Sequence, residues 1–323
     1  MKPIGGFFEL EIGGGGHAWH AGTLALCSGR ACLSKILECA RPARAWVPFY
    51  ICDSALSPFA RAGVEVAFYA IDESLDPLLP VGVPAGGDLV MAVNYFGVKT
   101  RTAAALVAQH PRRVIVDDTH AFFSKGYEGG WSFNSARKFF GVPDGGYAYG
   151  PGIEPHEYPR PPCVRYDHLV NRLLGNQQLA FEQYRESEAN VPGELWGMSR
   201  LAERLLDRVD YGAAGDARRR NFAALHARFT RRNGLRVDLT AVENETPYCY
   251  PLLCDRPVPW DALWRRGVYA PALWTDVAAR AGAERFTWES SLQRHLLPLP
   301  IDHRYGPGDL DSLSSDVDAV MQW

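Results

Sequence analysis

The sequence predicts an α/β protein with a mainly parallel central sheet, helices on both faces of it and a smaller C-terminal α+β lobe. Three observations carry this. Short β-branched runs alternate with helical ones through the first half of the chain, the pattern of strands joined by crossover helices. A proline-rich passage, GPGIEPHEYPRPP, then gives way to long amphipathic stretches. From about Gly234 onward the texture returns to short strand-like pieces and one last helix. At 323 residues the chain is long enough for a full core and for two lobes sharing a crevice. The shifts in texture divide it into an N-terminal segment at 1–20, a large domain at 21–233 and a small domain at 234–323.

RACLSKILECA, 30–40, carries Leu33, Ile36 and Leu37 at helical spacing. AWVP is expected as a strand, DSALSPFARAG as a helix closed by Gly63, and VEVAFY as the next strand. DLVMAV at 88–93 reads as a buried strand, TAAALVAQH as a helix, RVIVD at 113–117 as a strand and GYAYG as one more. HLVNRLLGNQQLAFEQY, MSRLAERLLDRVDY and ARRRNFAALHARFTRRN are predicted as long helices that bury leucine and phenylalanine stripes. LRVDL, YCYPLL and GVYAP are expected strands of the small domain, and DLDSLSSDVDAVMQ its last helix.

Hydrophobic residues make up 47% and charged residues 22%, the balance of a globular protein and not of a disordered one. A net charge of −3 points to no polyanion, and the densest basic run, 218–220, reads as a solvated helix face, so no nucleic-acid partner is expected. Seven cysteines without a CxxC pair suit reduced thiols in a cytoplasmic protein. MKPIGGFFELEIGGGG has no uninterrupted apolar run and no stretch approaches a membrane span, so no membrane partner is expected.

Three pieces of sequence are candidates for chemistry. In VIVDDTHAFF, Asp117 stands at the carboxyl end of a buried parallel strand, at the rim where open α/β sheets bind ligands. A carboxylate there calls for a cation or a protonated heterocycle, unless it only caps the following turn. SGRACL opens a predicted helix, whose first amides and dipole suit a phosphate; Ser28 as a plain helix cap explains the same residues. Lys138 lies among FNSAR, FF and GVPDGG. Desolvated beside Arg137, its amine would be suited to condense with an aldehyde; otherwise its stem packs on Phe139 and Phe140 with the ammonium in water. In this order the three match what pyridoxal phosphate needs: an amine for the aldehyde, an acid for the ring nitrogen and backbone donors for the phosphate. His120 would lie against the ring or bond its hydroxyl.

With these residues the chain resembles the DegT-like family of pyridoxal-phosphate aminotransferases, which includes sugar-nucleotide aminotransferases and belongs to the fold type I (aspartate aminotransferase) superfamily. The resemblance runs from SGRACL through VPFYICDSAL, VNYFG, VDDTHAFF, SARKFFGVPDGG and GMSRLAERLL to LPLPIDHRY. It implies that Lys138 bonds the cofactor aldehyde, that Asp117 pairs with the pyridinium and that His120 stands beside the ring. It implies that Ser28, Gly29, Arg30, Ala31 and a serine, Ser135 or else Ser132, hold the phosphate. The ring-stacking stretch of the family aligns on Cys52, with Tyr50 two positions earlier. Three departures stand out: Arg30 where the family has Thr or a small residue, Glu194 or Leu195 where the family has an asparagine donated by the partner subunit, and GVPDGG in place of an acidic glycine turn. The resemblance further implies a homodimer, an amino donor and a small keto acceptor from glycan or secondary-metabolite chemistry.

Other readings compete. The same cofactor serves dehydration or decarboxylation. Asp117, Asp118, His120, His17 and His20 offer metal ligands, although their spacing matches no strong metal motif, and a non-catalytic member of the family would keep the fold alone. Arg304, Tyr305, His303 and Trp274, with Phe7 and Phe8, are candidates to reach the substrate or to pack between lobes.

Overall fold

The computed structural model describes residues 10 and 12 and the ranges 16–191, 194–242 and 245–323; Phe7 and Phe8 lie outside them. The first half contains β1 (Leu24–Leu26), α1 (Gly29–Ala40), β2 (Arg44–Pro48), α2 (Ser57–Arg61), β3 (Glu65–Ile71), β4 (Pro77–Leu78), β5 (Leu89–Val93), α3 (Thr100–Gln109), β6 (Val114–Asp117), β7 (Trp131–Phe133) and β8 (Gly146–Tyr149). The rest contains α4 (Asp167–Leu173), α5 (Gln177–Ala189), α6 (Arg200–Leu206), α7 (Tyr211–Phe229), β9 (Cys249–Leu253), α8 (Trp260–Arg265), α9 (Thr287–His295), β10 (Leu296–Pro300) and α10 (Pro307–Met321).

β1 to β8 form one sheet in the order β1-β8-β7-β6-β5-β2-β3-β4. β3, β2, β5, β6 and β7 run parallel, while β8, β1 and β4 are antiparallel to their neighbours. The central strands LVMAV and VIVD are buried at every position, as strands covered on both faces must be. β9 and β10 form a separate antiparallel pair. No helix among the described residues is long and apolar enough to cross a membrane.

Several expectations need correction. DSALSPFARAG is a 3₁₀ turn at Asp53–Ala55 followed by the short α2, with Gly63 at φ 68° closing it. HLVNRLLGNQQLAFEQY is two helices, interrupted where Gly175 takes φ 84°. Its apolar stripe is not core: Leu173, Leu174 and Phe181 are 85%, 69% and 56% exposed. LRVDL and GVYAP form no strand, because β9 takes its partner from LLPLP, whose prolines disguise a strand; in a two-stranded ribbon their missing N–H groups cost no interior ladder bond. β1 and β7, of three residues each, are too short to show alternation. The basic run is not wholly solvated either. Arg220 is exposed, but Arg218 is 1% exposed.

Candidate active site

The candidate residues gather beyond the carboxyl ends of β5 and β6. Asp117 ends β6, 6% exposed, its Oδ1 accepting the Thr119 N–H at 2.8 Å. Burial raises its pKa above the usual carboxylate range, while Lys138 and the Thr119 bond pull it back. The chain then turns so that Thr119 and His120 face a 3₁₀ turn at Ala136–Lys138. Lys138 Nζ lies 2.9 Å from His120 Nε2 and 3.3 Å from Thr119 Oγ1.

His120 is 1% exposed and boxed by aromatic rings. Tyr248 stacks on it at 4.5 Å and 11°, Phe96 lies at 5.9 Å and Trp274 at 5.3 Å. Burial and the nearby lysine hold it neutral, its pKa well below the ordinary histidine value. The Phe96 N–H donates to Nδ1 at 3.3 Å. A backbone N–H only donates, so Nδ1 is the acceptor and the neutral ring carries its proton on Nε2, facing Lys138. That tautomer aims the Nε2–H at the Lys138 amine. The backbone is strained to make this arrangement: Phe96 takes φ 57° and Gly97 φ 74°, and a Cβ on Gly97 would fall 2.4 Å from the His120 carbonyl oxygen.

α1 starts beside the same cluster. Ser28 caps it, Oγ accepting the Ala31 N–H at 3.1 Å, so the capping role considered from the sequence is realised. Ala31 is buried, whereas Gly29 and Arg30 are half-buried. A Cβ at Gly29 would lie 3.5 Å from Thr119 Cγ2, which brings the helix start next to the residue that contacts Lys138. The turn after the lysine is drawn against it too: a Cβ at Gly146 would sit 2.7 Å from Asn134 O and 3.1 Å from Gly29 N. The Asp144 carboxylate accepts the Ser199 N–H at 3.1 Å, so GVPDGG is anchored to the start of α6. Ser135, directly ahead of the lysine turn, is half-buried, while Ser132 is sealed in β7 at 1% exposure.

Some expectations about these residues are corrected. Lys138 is exposed, because Phe139 and Phe140 turn into a cluster with Phe122 and Tyr211 and leave it at the surface. Arg137 does not act on the lysine as a lone cation; it is paired with Glu188 of α5 at 2.6 Å. Arg30 reaches the Glu188 carbonyl at 3.5 Å. Tyr50 is 0% exposed, its carbonyl accepting from Tyr95 OH at 2.8 Å, so its ring is core, packed on Trp274 at 4.5 Å. Cys52 is half-buried, with Sγ 3.0 Å from Ser54 Oγ. Arg304 is held by Asp302 at 2.7 and 3.0 Å, Tyr305 lies under its guanidinium, and His303 packs near Phe140; of the C-terminal candidates, Trp274 is the one that reaches His120.

His20 of HAWH is engaged elsewhere. Nε2 lies 2.7 Å from Phe122 O, Nδ1 meets the Tyr149 hydroxyl, and burial lowers its pKa to about 3. No cluster of metal-ligating side chains occurs among the described residues. The sequence reading missed Phe96, Tyr248 and Arg218. For Arg218 the signal was present: it stands four residues after Ala214 and four before Phe222, inside the buried stripe of α7.

No protein-family model matches the chain, and no curated protein matches it in sequence. Solved structures do match. The sugar aminotransferase CalS13 from Micromonospora echinospora aligns at 16% identity over 92% of this chain and 87% of its own, with a TM-score of 0.59. A DegT DnrJ EryC1 StrS aminotransferase from Brucella abortus aligns at 14% identity over 92% and 85%, TM-score 0.62. The PMP form of the putative sugar aminotransferase Spr1654 from Streptococcus pneumoniae aligns at 12% identity over 93% and 86%, TM-score 0.64. The architecture of this chain, a mainly parallel sheet with flanking helices, is therefore the fold of these solved structures.

Proposed function

We propose that the chain is a pyridoxal-phosphate-dependent aminotransferase that moves an amino group from a small amino donor to a small keto acceptor in glycan or secondary-metabolite biosynthesis. The observation that carries this is the convergence of Lys138, His120 and Asp117 beside the start of α1. The residues fit the cofactor: a carboxylate whose pKa is raised by burial, with Lys138 and the Thr119 bond pulling it back, an accessible amine beside a histidine N–H, and a helix start in close contact with the lysine turn. That solved structures of this fold include sugar aminotransferases, one of them in PMP and PLP forms, supports the reading.

When bound, pyridoxal phosphate supplies an aldehyde for amino groups and a ring that accepts electrons from the substrate α-carbon. The chain does the rest. Lys138 holds the cofactor through its amine and, once a donor amine has replaced it, moves a proton to and from the substrate α-carbon. Asp117 keeps the ring nitrogen protonated. His120 presents its Nε2–H as a fixed donor beside Lys138. The amides of Gly29 and Arg30, the dipole of α1 and the Ser135 hydroxyl hold the phosphate, with Arg30 adding charge. Cys52 stands where a ring-stacking residue is expected.

A homodimer working in the cytoplasm completes the proposal. Its support is the exposed flank of the site: Lys138 is open on one side, and the α4–α5 hairpin carries Leu173, Leu174 and Phe181 outward. The test is direct. Protein mixed with pyridoxal phosphate turns yellow, and glutamate or glutamine bleaches it stoichiometrically as the amine form accumulates. A protein that takes up no cofactor refutes the proposal, and uptake with release of ammonia or carbon dioxide instead moves it to another reaction of the same cofactor.

A further inference from the structure

We propose that Arg218 is a positioning residue that sets Lys138 against His120, an inference that rests on the roles given to that pair above. Arg218 lies in α7, 1% exposed. Its guanidinium donates to Phe139 O at 3.3 Å, to Tyr248 O at 3.0 Å and to Pro247 O at 3.2 Å, and sits 4.4 Å from the Phe139 ring. Among the described residues no carboxylate forms an ion pair with it; Asp302, the strongest of the negative charges acting on it, is held by Arg304. Burying a cation without a bonded anion is costly, and α7 has Phe222, Leu225 and Phe229 to anchor it without one.

What the guanidinium joins explains its place. Phe139 directly follows Lys138, so one bond fixes the lysine turn. Tyr248 stacks on His120, and its N–H donates to Phe96 O at 2.9 Å. The same residue, Phe96, donates its own N–H to His120 Nδ1. One side chain therefore ties the segment that carries the amine to the segments that fix the ring plane and tautomer of its partner. Neither Lys138 nor His120 touches Arg218, which makes the effect one of distance and orientation.

The test uses cofactor-free protein. Pyridoxal without its phosphate, together with cyanoborohydride, labels lysines, and peptide mapping reads the rate at Lys138 relative to Lys35, a surface lysine of α1. Wild type labels Lys138 preferentially. In Arg218→Met the ratio falls by roughly 10- to 100-fold, the loss typical of a misplaced reacting group, and Arg218→Lys recovers part of it. In ¹⁵N-histidine spectra the Nε2–H signature of His120 gives way to a tautomer mixture in Arg218→Met. If that variant does not fold, Tyr248→Leu, which removes the stacking ring and leaves Arg218, lowers the same ratio. An unchanged ratio and tautomer in a folded variant overturn the proposal. A wild type with no preference for Lys138 instead overturns the cofactor reading itself.

Discussion

Residues 113–149 and residues 211–280 build the same site in different ways. The first stretch supplies the groups proposed to react or to hold the cofactor: Asp117, His120, Ser135 and Lys138 lie on one strand end and two turns, close together in the chain. The second supplies none of them. It supplies instead what surrounds them, with Arg218 bonded behind the lysine turn, Tyr248 stacked on His120 and Trp274 closing the aromatic box. Chemistry here is local in sequence, and its orientation is not.

The largest effect is expected at Lys138. Lys138→Ala should lower the rate of the glutamate-driven bleaching by about 10⁴-fold or more, since it removes both the covalent tether and the proton carrier; rapid-mixing absorbance measures it. The surrounding stretch should answer in stability. Trp274→Ala removes a ring that is 8% exposed and contacts Tyr50, Tyr95, Phe96 and His120, and should cost about 3–5 kcal/mol in urea unfolding. Trp264, 45% exposed, is the control, with a loss of about 0.5 kcal/mol or less for Trp264→Ala.

This contrast also explains what the sequence made legible. Strand ends followed by short polar turns carry Asp117 and Lys138, so their order and spacing pointed to a cofactor before any fold was known. The alternation of β2, β3, β5 and β6 with α1 and α3 was equally clear, because each run is long enough to show its period. Arg218 was read as solvated because arginines flank it, although helical spacing aligned it with Ala214 and Phe222. Tyr248 and Phe96 gave no local sign, since their use depends on a peptide contact between segments far apart in the chain. The apolar stripe of α4 and α5 was read as core because periodicity reports that a face is apolar and does not say what covers it.

A subtler separation lies within the first stretch, between adjacent aspartates. Asp118 is 2% exposed, with Oδ1 bonded to Asn94 at 2.9 Å and to Tyr127 at 3.0 Å and Oδ2 without a hydrogen-bond partner. Burial raises its pKa from 3.8 to about 7. The folded state thus keeps a proton that the unfolded chain has released. Its stabilising contribution is complete below about pH 4 and is lost as the pH rises through about 7, with a slope of at most about 1.4 kcal/mol per pH unit. Asp118→Asn should remove that slope from urea titrations run between these values. His20 acts in the opposite sense: its pKa is lowered to about 3, so its contribution is present above about pH 6.5 and lost on acidification. The smallest effect is expected at Ser135. Ser135→Ala should weaken cofactor affinity by roughly 5- to 10-fold, about the net worth of one ordinary hydrogen bond, measured by equilibrium dialysis.

The most direct test of the central claim, that Lys138 is the amine set against His120 and Asp117 to hold the cofactor, is to bind pyridoxal phosphate, reduce with borohydride and map the modified peptide by mass spectrometry. The label is expected on Lys138 at one equivalent per chain, and to vanish in Lys138→Ala. A label on another lysine, or yellow protein that survives the substitution with the same stoichiometry, would contradict it.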